Sequence, residues 1–272
     1  MVSSSSSSSS TSAGRLLATD MDGTFIGDDD AMFDLWERLE ARGIRVAFST
    51  GRHLRSIRDF YAEKHTPRRG EICVCMVGTD VWEQGASEAA TATGAAADIS
   101  AQTDDGYVLD PEWHRIISKD WDKQAVEAIL HDIPEAEMQD QQWQSDFKSS
   151  YYLEENAEAR VQEIRQRLAD RGLQAKVIYS AGRFLDLLPV KSGKGEAVRY
   201  VAQRLQLDPA NVITCGDTGN DLDMMRPELG FRSIAVGNAT PELKAFEAPH
   251  VYHARADYAA GIIEGLEHFG WL

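Results

Sequence analysis

The segment Asp20-Met21-Asp22-Gly23-Thr24 constrains the fold of this chain more than any other. It follows the apolar run Leu16-Leu17-Ala18, which predicts a buried strand, and its glycine predicts a turn directly afterwards. Asp20 and Asp22 therefore lie at the carboxyl end of a strand, where one carboxylate can attack an electrophile and the other can move a proton. Two carboxylates and a main-chain carbonyl also form an oxygen site that suits Mg²⁺. Taken alone, these residues could also form an ordinary acidic turn.

Predicted strands and helices alternate along the first part of the chain. The predicted elements are, in order, a strand over 15–19, a helix over 31–43, a strand over 44–49, a helix over 54–64 and a strand over 72–77. Buried strands that alternate with amphipathic helices indicate a parallel sheet that is covered on both faces. The pattern returns at Gly195, and residues 211–215 predict a further core strand.

The composition changes after residue 82, which indicates a second unit inside the first. Residues 85–106 are rich in Ala, Thr, Ser and Gly and predict a flexible insertion. Beyond them, helix, strand, helix, strand and strand are predicted over 121–131, 147–153, 157–171, 174–180 and 184–188, an order typical of a small α+β module. We therefore expect an α/β protein with a Rossmann-like parallel-sheet core at 14–82 and 190–272 and an inserted α+β domain at 83–189. The Ser-rich residues 1–13 predict a disordered tail.

The overall charge and the cysteines limit the partners and the compartment. A formal net charge of −16 argues against nucleic acid as the main partner, because backbone binding needs clustered Lys and Arg. No apolar run reaches the length of about 18 residues that a membrane span needs. The three cysteines lack zinc-site spacing, and Cys73 and Cys75 share one face of a predicted strand. We expect packed, reduced thiols and a cytoplasmic protein.

Two further motifs predict groups that hold a phosphoryl group. Ser49-Thr50-Gly51-Arg52 follows a predicted strand, and its hydroxyl and N–H groups could bind phosphate oxygens, although it also fits a helix start. A lysine at the entrance of the helix that begins near Gly195 could neutralise a phosphoryl group. We favour Lys194 over Lys191, because Lys194 lies between two glycines that let the backbone approach a ligand. A solvated lysine is the alternative.

A fourth motif, Gly216-Asp217-Thr218-Gly219-Asn220-Asp221, follows the apolar run 212–215. Its two acids and one amide are natural oxygen donors to a metal, whereas the structural alternative is an Asx-rich turn that caps a helix. All four motifs stand at predicted carboxyl ends of parallel strands, where open α/β sheets bind their ligands. Their joint occurrence favours one composite site over four unrelated turns.

With these motifs, the chain resembles the haloacid dehalogenase superfamily of phosphotransferases, from about Arg15 to the C-terminus. Within it, the sequence is most similar to the sucrose-phosphatase branch. The matching segments, in chain order, are Phe48 to Arg52, Val77 to Asp80, Lys148 to Leu153, Asp186 to Pro189, Gly216 to Asp221 and His268-Phe269. The inserted domain resembles the large α/β cap of this superfamily, and the serine tail and the Ala/Thr/Gly-rich stretch depart from the pattern.

The resemblance implies roles for the core motifs. Asp20 would be the nucleophile that forms an aspartyl-phosphate, and Asp22 the acid that protonates the sugar and then the base that activates water. Thr50 and Lys194 would orient and neutralise the phosphoryl oxygens. Mg²⁺ would be held by Asp20, by the carbonyl of Asp22 and by Asp217, with Asn220 and Asp221 supporting it.

The resemblance also implies substrate-binding positions. These candidates are Gly51, Arg52 and Thr79 in the core and Lys148, Tyr151, Ser180, Arg183 and Asp186 in the cap. From the residues alone, each cap position could equally be a solvated strand position. Tyr151-Tyr152 and Trp143 are more typical of packing than of sugar contacts.

The expected function is Mg²⁺-dependent hydrolysis of a phosphorylated disaccharide, sucrose 6-phosphate first, to the free sugar and phosphate. An acid at position 22 favours hydrolysis. A mannosylfructose-phosphate phosphatase or another sugar-phosphate phosphatase is the nearest alternative, followed by a phosphomutase and by a non-catalytic partner of a glycosyltransferase. A sugar-phosphate synthase is a candidate partner, and we expect a monomer that binds neither nucleic acid nor membrane.

Overall fold

The structure is a computed structural model that describes residues 14–66, 68–85, 103–104, 106–154 and 157–272. The elements of the first half are β1 (Leu16–Thr19), α1 (Asp29–Ala41), β2 (Arg45–Ser49), α2 (Leu54–Lys64), β3 (Ile72–Cys75), β4 (Asp80–Gln84), β5 (Thr103–Asp104), β6 (Tyr107–Leu109), α3 (Pro111–Ile117), α4 (Lys123–His131) and β7 (Glu137–Met138). Those of the second half are β8 (Ser149–Tyr152), α5 (Glu158–Asp170), β9 (Ala175–Ser180), β10 (Phe184–Pro189), α6 (Lys194–Arg204), β11 (Val212–Gly216), β12 (Arg232–Ala235), α7 (Pro241–Lys244), β13 (Val251–His253) and α8 (Tyr258–His268). Short 3-10 helices span Gln141–Trp143, Pro209–Asn211, Gly219–Met224 and Pro227–Leu229.

The described strands of the core form a nine-stranded sheet in the order β13-β12-β11-β1-β2-β3-β4-β6-β5. The six strands from β13 to β3 are parallel. Leu17 packs into the hydrophobic cluster that contains residues of α1, α2 and α8, whereas Leu16 and Ala18 pack into the cluster that contains residues of α3 and α6. Both faces of β1 are therefore buried, and the predicted parallel sheet with helices on both faces is confirmed.

Local features of the sequence explain where α1 starts and which of its faces is buried. Asp28 caps α1, since its carboxylate accepts a hydrogen bond from the N–H of Ala31 at 3.1 Å. Met32, Leu35, Trp36 and Leu39 then recur at helical spacing and are buried. Trp36 also meets the rings of Phe25 and Phe48 edge-on, which ties the turn after β1 to this face of the sheet.

The sheet continues past residue 82, where the sequence-based boundary of the core lies, and corrects that boundary. β3 ends at Cys75 because Met76, Val77 and Gly78 have positive φ angles of 52°, 60° and 89° and reverse the chain. β4 returns antiparallel to β3, and β6 pairs with β4. A boundary at 82/83 therefore falls inside β4. The helix α3 also belongs with the core, since Trp113 and Ile117 pack in its second hydrophobic cluster.

The remaining elements, α4 to β10, form a smaller unit that we call the cap. Its antiparallel sheet has the order β7-β8-β10-β9, as expected for the inserted α+β domain. The helices α4 and α5 cover one face through a cluster that includes Ile129, Ile164 and Leu185. The edge strand β9 contacts the Gly219–Met224 helix of the core. The polar face of the cap sheet is thereby turned towards the carboxyl ends of the core strands.

Two expectations fall on residues outside the described ranges. They are the disordered tail at 1–13 and most of the flexible insertion at 85–106, of which 86–102 and 105 are not described. In the part of the chain that the structure describes, no helix is both long and apolar enough to cross a membrane.

Candidate active site

The turn after β1 places Asp20 against the neighbouring strand β11. The N–H of Asp20 donates to the carbonyl of Cys215 at 2.9 Å, which continues the β1–β11 ladder by one residue. Gly23 has a φ of +76°, and a Cβ at this position would lie 2.3 Å from Oδ2 of Asp217. Glycine is therefore required here both for the turn and for the close approach of Asp217. The hydroxyl of Thr24 donates to Oδ1 of Asp217 at 3.0 Å and fixes this second carboxylate.

Lys194 lies at the first turn of α6, and its ammonium group is the centre of the site. The side chain is fully buried. Its Nζ donates to Oδ1 of Asp20 at 2.9 Å, to Oδ1 of Asp221 at 2.6 Å and to Oδ1 of Asn220 at 3.0 Å. These acceptors use all three N–H donors of an ammonium group, which holds the side chain in one position. Lys191, the other candidate from the sequence, is exposed.

The Gly219–Met224 helix orients the acids of the fourth motif. Oδ2 of Asp221 accepts from the N–H groups of Asp217 and Thr218, each at 3.0 Å, while its Oδ1 accepts from Lys194. Asp221 is fully buried. Asp221 therefore connects the backbone at residues 217–218 to Lys194.

Three carboxylates of this site fit a divalent cation. Among the described residues, Asp20, Asp217 and Asp221 each offer an oxygen within 4.8 Å of the others, and all three are buried. Hard oxygen donors of this kind suit Mg²⁺, Mn²⁺ or Ca²⁺. Lys194 supplies one positive charge against three carboxylates. The cluster therefore has an excess of negative charge, which a divalent cation would neutralise.

Burial and the neighbouring charges shift the pKa values of the groups in this site. Burial raises the pKa of Asp20 to about 8; Lys194 opposes this shift, and the nearby Asp221 and Asp217 add to it. Burial, followed by the charge of Asp221, raises the pKa of Asp217 to about 6. Burial disfavours the charge on Lys194, but Asp20 and Asp221 outweigh that effect and raise its pKa above the ordinary value. Lys194 is therefore cationic at neutral pH.

Thr50 and Asp22 complete the core side of the site. Thr50 is buried after β2, and its N–H donates to the carbonyl of Val74 at 2.9 Å, which fixes the strand end. Asp22 is exposed and forms a two-point ion pair with Arg52, in which Nε and one terminal nitrogen of the guanidinium donate to its two oxygens at 2.8 Å and 2.5 Å. Both residues line the same cavity.

The cavity lies between the core motifs and the polar face of the cap sheet, and its volume is about 360 Å³. A cavity of this size belongs to the range of small-molecule sites, roughly 300–1,000 Å³. The lining residues from the core are Asp20, Asp22, Thr50, Gly51, Arg52, Val77, Thr218 and Asn220, and those from the cap are Gln139, Trp143, Lys148, Tyr152, Ser180, Ala181, Phe184 and Asp186. Acidic and cationic groups thus occupy the core wall, whereas the cap wall mixes aromatic and polar side chains.

A buried polar cluster lies in the cap wall. The Ser150 hydroxyl donates to Oδ1 of Asp186 at 2.6 Å, and Lys148 Nζ lies 3.4 Å from the same oxygen. The Gln144 side-chain carbonyl accepts from the N–H of Ser150 at 2.8 Å. These contacts fix the positions of Lys148 and Asp186 before any ligand is present, which is a property of preorganised binding groups.

Three of the predicted substrate-binding residues do not line this cavity. Thr79 is fully buried and donates its hydroxyl to the carbonyl of Met76 at 3.2 Å. Tyr151 packs inside the cap with α4 and α5. Arg183 is exposed, and its guanidinium lies 4.7 Å from the centre of the Tyr152 ring. The other predicted positions, Gly51, Arg52, Lys148, Ser180 and Asp186, are lining residues.

Tyr152, Gln139, Trp143, Phe184 and Thr218 line the cavity without having been predicted as site residues. For β8 and β10 the sequence contains a usable signal, since side chains alternate between the two faces of a strand. The face that contains Lys148 on one strand and Asp186 on the other also contains Tyr152 and Phe184 and excludes Tyr151. Gln139 and Trp143 lie before and within a short 3-10 helix and carry no periodic signal.

Comparison with known proteins assigns the family. The sequence model of the Sucrose-6F-phosphate phosphohydrolase family matches residues 13–100 and 91–270. The chain belongs to this family. The recognition of a sucrose-phosphatase pattern from the motifs is thereby confirmed.

Relatives within and near this sucrose-phosphatase family share most of the chain. Sucrose-phosphatase 1 of Nicotiana tabacum is 31% identical over 280 residues, which cover 95% of this chain and 60% of the relative. Mannosylfructose-phosphate phosphatase of Agrobacterium fabrum is 31% identical over 263 residues, with coverage of 94% and 97%. The sucrose-phosphatase of Synechocystis, whose structure is in complex with sucrose and phosphate, is 28% identical with a TM-score of 0.81, and the match covers 95% and 98% of the two chains. The chain thus spans about 60% of the length of the tobacco relative.

Proposed function

We propose that this protein is a Mg²⁺-dependent phosphatase that hydrolyses a phosphorylated disaccharide through an aspartyl-phosphate on Asp20. The observation that carries the proposal is the contact of Lys194 Nζ with Asp20 at 2.9 Å, because Asp20 also lines a cavity whose opposite wall belongs to the cap. A buried carboxylate held by a buried cation, and open to a cavity of sugar size, is an arrangement suited to nucleophilic attack on phosphorus.

In the proposed reaction, Asp20 would be the nucleophile, and Asp22 would donate and then accept a proton. An oxygen of Asp20 attacks the phosphorus, and the bond from phosphorus to the sugar oxygen breaks. Asp22 gives a proton to that oxygen, and the free sugar leaves. Asp22 then accepts a proton from water, which attacks the phosphorus of the aspartyl-phosphate and releases phosphate and the Asp20 carboxylate. Lys194 stays fixed throughout, because all its donors are used by Asp20, Asn220 and Asp221.

The ion pair between Arg52 and Asp22 bears directly on the proton transfers. Both oxygens of Asp22 accept from Arg52 in this structure, so the carboxylate must change partners before it protonates a sugar oxygen. A substrate phosphate or sugar that engages Arg52 would release Asp22 at the moment when it is needed. This exchange gives Arg52 a role in substrate binding that agrees with its place on the cavity wall.

A divalent cation would be held by Asp20 and Asp217, with Asp221 and Asn220 adjoining, and the carbonyl of Asp22 remains a proposed ligand. When bound, it would neutralise carboxylate charge and the charge that develops on the phosphoryl oxygens. The three-carboxylate cluster supports this assignment, and the preference for Mg²⁺ over other hard cations is part of the proposal.

Sucrose 6-phosphate is the first candidate substrate, because the chain belongs to the Sucrose-6F-phosphate phosphohydrolase family. Mannosylfructose phosphate is the second, since a phosphatase named for it is 31% identical and is covered over 97% of its length. Both are disaccharide phosphates, and the polar and aromatic cap wall would select between them. A cytoplasmic monomer that receives its substrate from a sugar-phosphate synthase completes the proposal.

The test is a phosphate-release screen of the purified protein with Mg²⁺. The panel compares sucrose 6-phosphate, mannosylfructose phosphate, trehalose 6-phosphate and hexose monophosphates, with product sugars analysed alongside. We expect phosphate release that is fastest for one disaccharide phosphate and that EDTA abolishes. Release from none of them would overturn the proposal, and an isomerised phosphosugar as the main product would replace it with a phosphomutase.

A further inference from the structure

One ion pair joins the cap to the catalytic core outside the cavity. Lys176 lies on the cap edge strand β9, and its Nζ lies 3.1 Å from Oδ1 of Asp223 in the Gly219–Met224 helix. The same Nζ donates to the carbonyl of Ser192, in the segment that leads from β10 back to the core. Both side chains are mostly buried, with 20% and 14% of their surface exposed. Ion pairs as buried as this are less screened than surface pairs.

Asp223 connects this pair to the catalytic lysine. Its second oxygen, Oδ2, accepts from the N–H of Gly195 at 2.9 Å, the residue directly after Lys194. Its own helix also contains Asn220 and Asp221, which accept from Lys194 Nζ. Asp223 therefore contacts the cap on one oxygen and the start of α6 on the other, so that the position of β9 and the position of Lys194 depend on the same carboxylate.

The backbone at Gly193 and Gly195 packs closely against the Lys176–Asp223 pair. A Cβ at Gly193 would lie 2.5 Å from Oδ2 of Asp223 and 2.6 Å from Nζ of Lys176, and a Cβ at Gly195 would lie 2.0 Å from the carbonyl oxygen of Asp223. The segment between cap and core thus passes directly over the pair. A movement of β9 away from the Gly219–Met224 helix would break the Lys176–Asp223 contact.

We propose that Lys176 and Asp223 form a latch, which holds the cap over the cavity and couples that position to Lys194. The proposal rests on the proposed function and deepens it, since both are positioning residues for the same reaction. Without the latch, a smaller fraction of molecules has the closed cavity, and the apparent affinity for a substrate that contacts the cap falls by that fraction.

The first test compares Lys176→Met with wild type on two substrates. For the disaccharide phosphate selected by the screen, we expect KM to rise about tenfold with a smaller change in kcat, as for loss of one charged hydrogen-bonded contact. For p-nitrophenyl phosphate, which is too small to need the cap wall, the loss in kcat/KM should be several times smaller. Lys176→Arg should restore most of the KM. Equal losses on both substrates would contradict a latch.

Lys123→Met is the matched control. Lys123 is also a cap lysine that donates to a main-chain carbonyl, of Ser145, and lies near a carboxylate, of Glu127, but both partners are within the cap. We expect this variant to have wild-type KM on both substrates. A tenfold rise here as well would show that loss of any such lysine disturbs the cap, and it would overturn the specific role of Lys176.

A double-mutant cycle tests the coupling. Asp223→Asn retains an oxygen that can accept from Gly195 but removes the charge that pairs with Lys176. If the two residues act as a unit, Lys176→Met combined with Asp223→Asn should lose no more than the more damaging single variant. Additive losses would mean that the residues act separately. Asp223→Ala, which also removes the acceptor for Gly195, should lower kcat in addition to raising KM.

Amide hydrogen exchange without substrate separates this proposal from the proposed function. In Lys176→Met, exchange should increase in β9 and over 190–195 and remain unchanged in α1 and α8, which pack on each other away from the cap. Unchanged exchange in β9 would overturn the latch whatever the enzyme hydrolyses. Increased exchange in a protein that releases no phosphate from any substrate would retain the latch and overturn the proposed function.

Discussion

The two walls of the cavity are built in different ways. On the core wall, Asp20 lines the cavity and is joined to Lys194, Asp221 and Asp217 by a chain of direct contacts. All four residues are almost fully buried, so that each side chain has one position. On the cap wall, Phe184 is exposed and Trp143 and Tyr152 are half-buried, although Asp186 is held by Ser150 and Lys148. Under the proposed function, the core wall would perform the chemistry on phosphorus, which is the same for every substrate, and the cap wall would contact the variable sugar.

The largest effect is expected at the nucleophile. Asp20→Asn preserves the size of the side chain but removes the attacking carboxylate, and kcat should fall by about 10,000-fold, as for other enzymic nucleophiles. Thermal unfolding should show a melting temperature no lower than wild type at pH 7, because burial already disfavours the charge of Asp20 in the free protein. Steady-state kinetics on the selected sugar phosphate measures the first effect. Retained turnover would place the nucleophile elsewhere.

Lys194→Met should reduce kcat by roughly 100- to 1,000-fold, because the ammonium group no longer neutralises the phosphoryl oxygens. It also leaves Asp221 buried without its cationic partner, so urea unfolding should show a loss of about 3–5 kcal/mol in the free energy of unfolding. Lys191→Met is the matched control, since Lys191 is exposed three residues earlier. That control should match wild type in both measurements; an equal loss in both variants would remove the distinction between them.

On the cap wall, neighbouring tyrosines provide a sharper comparison. Tyr152→Ala should raise KM for a disaccharide phosphate by about tenfold and change kcat little, because the ring lines the cavity and a contact worth tenfold is typical of one aromatic side chain. Tyr151→Phe should change neither constant, since Tyr151 lies in the cap interior and its buried hydroxyl has no hydrogen-bond partner. Steady-state kinetics of the two variants, measured side by side, tests this prediction. The reverse result would show that the register of β8 is shifted by one residue.

The dependence of metal binding on pH should be the smallest effect. Burial raises the pKa of Asp20 to about 8 and that of Asp217 to about 6 in the free site, so the metal must displace protons below these values. A raised carboxylate pKa stabilises the fold at low pH, and this stability is lost as pH rises from about 4 through 8. Mg²⁺ should therefore increase the melting temperature more at pH 8.5 than at pH 6, and its apparent Kd should be weaker at pH 6. A Mg²⁺-induced shift that is the same at both pH values would contradict these ionisations.

The same contrast explains how much could be predicted from sequence. Three of the core motifs follow the parallel strands β1, β2 and β11, whose carboxyl ends lie together, so the proximity of Asp20, Thr50 and Asp217 could be predicted without coordinates. Lys194 instead follows the antiparallel cap strand β10 and begins α6, so the prediction that its motif ends a parallel strand was wrong. The cap wall depends on the register of β8 and β10, and choosing Tyr151 instead of Tyr152 shows how one residue reverses the face. β4 was missed because the Met76–Gly78 turn makes it antiparallel, which breaks the alternation of strands and helices.

Long-range contacts between charged side chains could not be predicted at all. The ion pair of Arg52 with Asp22 joins residues 30 positions apart, and that of Lys176 with Asp223 joins residues 47 positions apart. Nothing in either local sequence identifies the partner, because the pairing is determined by how the cap and the strand ends meet. Such contacts arise from tertiary structure alone.

One measurement tests directly whether Asp20 becomes phosphorylated and whether Asp22 donates and accepts the protons. Asp22→Asn is mixed with p-nitrophenyl phosphate and Mg²⁺, quenched with acid and digested for peptide mass spectrometry. The leaving group of this substrate needs no proton, so Asp20 should still be attacked, whereas water lacks its base and the intermediate should accumulate. We expect one phosphoryl group on Asp20 in this variant and none in wild type or in Asp20→Asn. A phosphoryl group on another residue, or phosphate release at the wild-type rate with no adduct, would contradict it.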